Sequence, residues 1–142
     1  MGIYTDFVIG CHLKAETPDE IIFEFRDWLG FQRDSTDVRP SPQYYDALGA
    51  SIADATNGYI SCSFEQNQSG SYYLSLRTTI KSYYVGSIDE FLIRLAPYND
   101  HDGYVGYTHH EFDENPLLIF FQKGKAFYRK LEQFTDRQIV LP

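Results

Sequence analysis

The sequence predicts an α+β fold, an antiparallel sheet with two helices on one face. Three observations predict it. Two segments, 17–30 and 87–97, carry capping signals and helical apolar spacing. Six other segments read as strands, several of them alternating apolar and polar residues at the strand period. The resulting order, β-α-β-β-α-β-β-β, opens with a ferredoxin-like βαββαβ unit and adds extra C-terminal strands. The 142 residues suit one α+β domain, 1–142, with a core that needs no staples.

The first strand, "DFVIGCHL" at 6–13, puts Phe7, Ile9, Cys11 and Leu13 on one face. "TPDE" at 17–20 announces the first helix. Thr17 is the expected cap, Pro18 suits the first helical position and Glu20 completes a capping box. Ile21, Ile22, Phe25, Trp28 and Leu29 share a helical face, and Gly30 is the expected stop. Residues 31–58 are rich in Pro, Ser, Asp and Gly and long for a connection. They read as an irregular or inserted loop, of the kind that carries function. Strand 59–64 aligns Ile60, Cys62 and Phe64. A hairpin loop at "EQNQSG" leads to strand 71–80, with Tyr72, Leu74, Leu76, Thr78 and Ile80 together. "SIDE" at 87–90 repeats the capping pattern with Ser87 and Glu90. Ile88, Phe91, Leu92, Leu95 and Ala96 follow on one face, and Pro97 ends the helix. Strands 103–109, 117–122 and 125–130 close the sheet, the last two joined by a tight turn at Lys123-Gly124.

Composition excludes several classes. Apolar residues at 43% and charged residues at 23% describe a folded chain. No apolar run approaches the ~20 residues of a membrane span. "MGIYTDF" lacks the pattern of a secretory leader, so a cytoplasmic setting is expected. The net charge of −8 opposes direct binding to phosphate backbones and suits a basic or nucleic-acid-binding protein as partner. The basic residues Lys123, Lys125, Arg129 and Lys130 cluster near the end. Twelve Tyr and eleven Phe exceed what a core requires. In the pair Tyr72-Tyr73, one ring faces inward and the other outward. Cys11 and Cys62 belong to no CxxC pair and read as small buried apolar residues.

The densest chemistry lies in "DHDGYVGYTHHEFDE", 100–114. His109 and His110 are neighbours on a strand, so they point to opposite faces. His110 with Glu111, Asp113 or Glu114, joined by His101 or Asp102, is a candidate divalent-metal set. HExxH is absent, and a solvated acidic turn is the plainer reading. Cys11 and His12 diverge for the same alternation reason and make a poor nucleophile–base pair. GxSxG, GxxxxGK[ST] and GxGxxG are absent. Outward Tyr73, Tyr107 and Phe121 suggest a base-stacking sheet, but the RNP1 pattern is missing and the charge is adverse. No cofactor is expected.

"FLIRLAPYND" and "GYVGYTHHEFDENPLLIFFQKGKAFY", with the opening "IYTDFVIGCHLKAETPDEII", resemble a group of small uncharacterised bacterial and phage proteins. The shared features are the Ala-Pro-Tyr helix stop, the Gly-aromatic strand and the Pro-Leu-Ile-aromatic strand. The resemblance covers about the first 30 residues and 70–130. It implies a compact α+β fold and no activity. The expected function is non-enzymatic binding through protein–protein contact, as in a phage or mobile-element inhibitor, immunity or anti-defence protein. The expected contacts are Tyr73, Tyr107, His109, His110, Glu111, Asp113 and Glu114. The alternative is a small-ligand protein for a nucleotide or metal, or a minor enzyme, using the 101–114 cluster and the 31–58 loop.

Overall fold

In the computed structural model, residues 4–29, 56–81, 85–131, 138 and 140 are described. Among the described residues, six strands form the sheet: β1 (Tyr4–Leu13), β2 (Thr56–Gln66), β3 (Tyr72–Lys81), β4 (Gly103–His110), β5 (Leu117–Gln122) and β6 (Lys125–Lys130). They pair antiparallel throughout, in the order β2-β3-β1-β4-β5-β6. Thus β3 lies between β1 and β2, and β1 lies between β3 and β4. The helices among the described residues are α1 (Asp19–Trp28) and α2 (Val85–Leu95), the second running into a 3-10 turn at Ala96–Tyr98. No helix among the described residues is long and apolar enough to cross a membrane.

The alternation in β1 and β3 decides which face is buried. Phe7, Ile9, Cys11 and Leu13 join Leu74, Leu76 and Ile80 in one cluster with Ile22, Phe25, Trp28, Ile88, Phe91 and Leu95 of the helices. Both helices therefore pack on the same face of the sheet. Phe91 sits at the centre. Its ring meets Phe7, Phe25 and Trp28 edge-on at 6.3, 5.8 and 5.3 Å, the arrangement that the ring quadrupole favours.

The helix starts differ from expectation. Thr17 does not cap α1; its hydroxyl donates to the Lys14 carbonyl at 2.6 Å, and Pro18 is the N-cap residue. The helix starts one residue later than the capping box places it, and no side chain caps it. α2 begins at Val85, so Ser87 lies inside the helix rather than before it. The expected apolar faces hold in both helices. Residues 56–58, expected as loop, belong to β2, while 30–55, including the Gly30 stop, lie outside the described residues.

The β5–β6 connection is the expected tight turn. Lys123 and Gly124 have φ of 52° and 76°, the paired positive values of a type I′ hairpin. Asp102 accepts from the Lys123 backbone N–H at 3.2 Å and ties this turn to the start of β4. Near this same start of β4 one extra residue, Val105, interrupts the pairing with β5 between Tyr104 and Gly106.

Candidate functional site

The face opposite α1 and α2, which carries no helix among the described residues and is here the helix-free face, is built by the residues between the core positions. Its β1–β3 half is polar. His12 lies opposite Tyr73, with ring centroids 4.8 Å apart, and the Tyr73 hydroxyl leans towards Gly10. Asp6 accepts from the Thr79 hydroxyl at 3.0 Å. Asp6, Val8, Arg77, Thr79 and Tyr107 border a shallow depression of about 330 Å³.

The β4–β6 half of that face is aromatic. Register puts Leu118 opposite Tyr107 and Phe127 opposite Phe120. Tyr104 meets Phe120 at 5.7 Å, and the Arg129 guanidinium lies 4.2 Å from the Phe120 centroid. Tyr104 remains 55% exposed. Partial burial, then the neighbouring Tyr107, push its phenol above the usual range.

Tyr73, Tyr107 and His109 share this face, as alternation predicts. Phe121 does not. It pairs with Ala126 on the helix side and is buried in the core. Adjacent Phe120 is the outward ring. A continuous apolar run, "LLIFF", hides which parity faces out.

His109 and His110 are separated. The His109 Nε2–H donates to the Asp113 carbonyl at 2.8 Å, bracing the turn. His110 points to the helix side, where Nδ1 and the buried Thr5 hydroxyl share a 2.5 Å hydrogen bond. Glu111 is docked on Tyr4: its N–H donates to the Tyr4 carbonyl, and its carboxylate accepts from the Tyr4 N–H at 3.3 Å. Asp113 and Glu114 are exposed. At the tip, Phe112 is 80% exposed among these acids. Charge patterning drew attention to the acids and left Phe112 unnoticed.

The 101–114 cluster does not assemble a metal site. Asp102 is held at the Lys123 turn, and His101 contacts Asp100 at 3.7 Å. Among the described residues no group of three or more His, Cys, Asp or Glu converges. Cys11 is buried and its thiol is pushed up to about 12 by burial. Cys62 is pushed up to about 11 by burial, opposed in part by the Arg26 charge. A thiol so shifted is almost wholly protonated at neutral pH and is a weak nucleophile.

A second group of polar residues lies on the helix side, beyond the core. Thr5, Asp89, Thr108, His110 and Tyr128 border a cavity of about 160 Å³. The Tyr128 hydroxyl donates to Asp89 Oδ1 at 2.5 Å. Burial first, then the Asp89 hydrogen bond and charge, raise the Tyr128 phenol well above its usual range. An adjoining apolar groove of about 230 Å³ runs between α2 and β6, along Leu92, Ile93, Ala126 and Tyr128. Asp89 and Tyr128 were legible only as a cap segment and a basic strand. Nothing in the sequence pairs positions 39 apart.

No protein-family model matches the chain, and neither a curated protein nor a solved structure does.

Proposed function

We propose that the chain is a non-enzymatic binding module that acts through protein–protein contact. One observation carries this reading: Tyr104, Phe120 and Phe127 stand on the helix-free face with Arg129 laid over Phe120. Aromatic residues and arginine are the side chains that anchor protein interfaces. The acidic turn with Phe112 at its tip suits a basic partner, in keeping with the net charge of −8. A cytoplasmic inhibitor, immunity or anti-defence role in a phage or mobile element is the setting proposed. Small size, acidity and the resemblance noted above support it. For the first six elements we keep the ferredoxin-like reading, supported by β3 lying between β1 and β2.

The test compares capture by the native chain with capture by a Tyr104→Ser, Phe120→Ser, Phe127→Ser variant whose fold is checked by circular dichroism. A stoichiometric protein held by the native chain and lost by the variant is the expected result. No stoichiometric partner, or equal retention by the variant, sinks the proposal.

The cavity at Thr5, Ile88, Asp89, Thr108, His110, Leu117 and Tyr128 favours a second reading, a small ligand with an apolar body and a polar group for Asp89 or His110, such as a nucleotide fragment. A bound ligand raises the melting temperature by mass action. A thermal-shift screen of nucleotides and divalent metals that stays flat removes this reading.

A further inference from the structure

Among the described residues, the outer edge of β6 closes the sheet order on one side. An edge strand presents unpaired backbone groups. Gln122 and Lys125 flank the two-residue turn as the first hydrogen-bonded pair. The alternation of an antiparallel ladder then sends the N–H and C=O of Ala126, Tyr128 and Lys130 away from β5. The rim of this edge is basic in an acidic protein. Lys123, Lys125, Arg129 and Lys130 are exposed, and none makes an ion pair among the described residues. On the helix side the edge borders the apolar groove, where Ile93 is 60% exposed. On the other side it borders the ring of Phe127.

We propose that β6 receives an acidic, alternately apolar segment of a partner protein as a seventh strand. This rests on the protein-binding reading and names one of its contacts. Strand addition draws affinity from main-chain hydrogen bonds and specificity from sites for alternate side chains. Here apolar side chains of the added strand meet Ile93 and Tyr128 on the helix side, and its carboxylates meet Lys125 and Arg129 on the other. The same basic side chains reject a second copy, because β6 against β6 sets like charges opposite one another.

The probe is an acetylated, amidated peptide alternating Glu and Val. It is titrated into the isotope-labelled protein alongside three controls: a Lys/Val peptide, the Glu/Val peptide N-methylated on alternate residues, and a single-stranded RNA hexamer. The expected result is slowed exchange of the Ala126, Tyr128 and Lys130 amides with the Glu/Val peptide alone. Affinity should fall about tenfold in a Lys125→Glu, Arg129→Glu variant, the loss expected of two exposed charge contacts on the carboxylate side. Three results overturn the proposal: equal binding of the N-methylated peptide, tighter binding of the RNA, or no binding by any probe, which leaves the lysines as a guard against aggregation only. If the peptide fails while the native chain still captures a partner through Tyr104, Phe120 and Phe127, the edge proposal falls and the protein-binding reading stands.

Discussion

A Cβ atom on Gly106 would lie 1.9 Å from the carbonyl oxygen of Val8 and 2.8 Å from Cα of Ile9. β4 therefore approaches β1 at a distance that only glycine permits, on the residue that follows the extra residue Val105. Both neighbours are backbone, so no rotamer change relieves the collision. Gly106→Ala is expected to destabilise by about 3 kcal/mol, at the upper end for overpacking. Urea denaturation checks it as a lowered midpoint with unchanged slope. Gly10→Ala is the control. Its added methyl would meet the Tyr73 hydroxyl at 3.4 Å, and that ring end can give way. Its midpoint should move little.

Gly106 also shows where sequence reading stops. "GYVGYTHH" reads as a strand, and period-two alternation assigns the inward faces of β1 and β3 residue by residue. One extra residue reverses parity locally, and nothing in the letters marks Val105 as that residue. A different limit hid Phe120: the continuous apolar run of β5 carries no parity signal. Helix faces were legible because five apolar positions vote together. Helix starts were not, since Thr17 serves whichever carbonyl the turn brings nearest, and that is Lys14. The Asp89–Tyr128 contact depends on α2 lying along β6, a tertiary fact with no local signal.

The cysteines should be chemically silent in the native state. With its thiol pushed up to about 12, Cys11 holds about one thiolate in ten thousand at pH 8, against about one in four for an ordinary thiol. Cys62, at about 11, holds about ten times more, still only about one thiolate in a thousand. A disulfide reagent at pH 8 should label neither until urea unfolds the chain, and labelling should follow the unfolding curve. Rapid modification of Cys11 in the native protein would show that its burial is wrong, and would reopen nucleophilic chemistry.

Tyr128 and Asp89 set an alkaline limit. The Tyr128 phenol is raised in the folded state, so folding favours its protonated form. The stability it contributes is fully present below the unfolded value of about 10 and is lost as pH rises towards the folded value. Tyr128 is 41% exposed, so solvent screening keeps the effect modest. Tyr128→Phe should cost about 1 kcal/mol at pH 7, the worth of one hydrogen bond. The gap between native and variant should narrow above pH 10. Urea midpoints of both proteins from pH 7 to 11 measure it, and a gap that stays constant denies the coupling to Asp89.

Phe120 and Phe121 are adjacent on β5 and face opposite sides of the sheet. Phe121 is buried among core residues. Its replacement by serine removes a full ring and buries a hydroxyl, at an expected cost of about 4 kcal/mol or more. Phe120 is half-buried, supporting Arg129 and Tyr104. Phe120→Ser forfeits a cation–π contact and one ring pair, about 1–2 kcal/mol together. Binding should reverse that ranking. A partner that seats on the helix-free face loses its anchor in the milder variant. In the harsher variant, the fraction that remains folded keeps the face intact. Urea midpoints and partner capture on the same two proteins give both rankings. If Phe120→Ser is as destabilising as Phe121→Ser, the ring belongs to a second packed layer, and the face it stands on is not open to a partner.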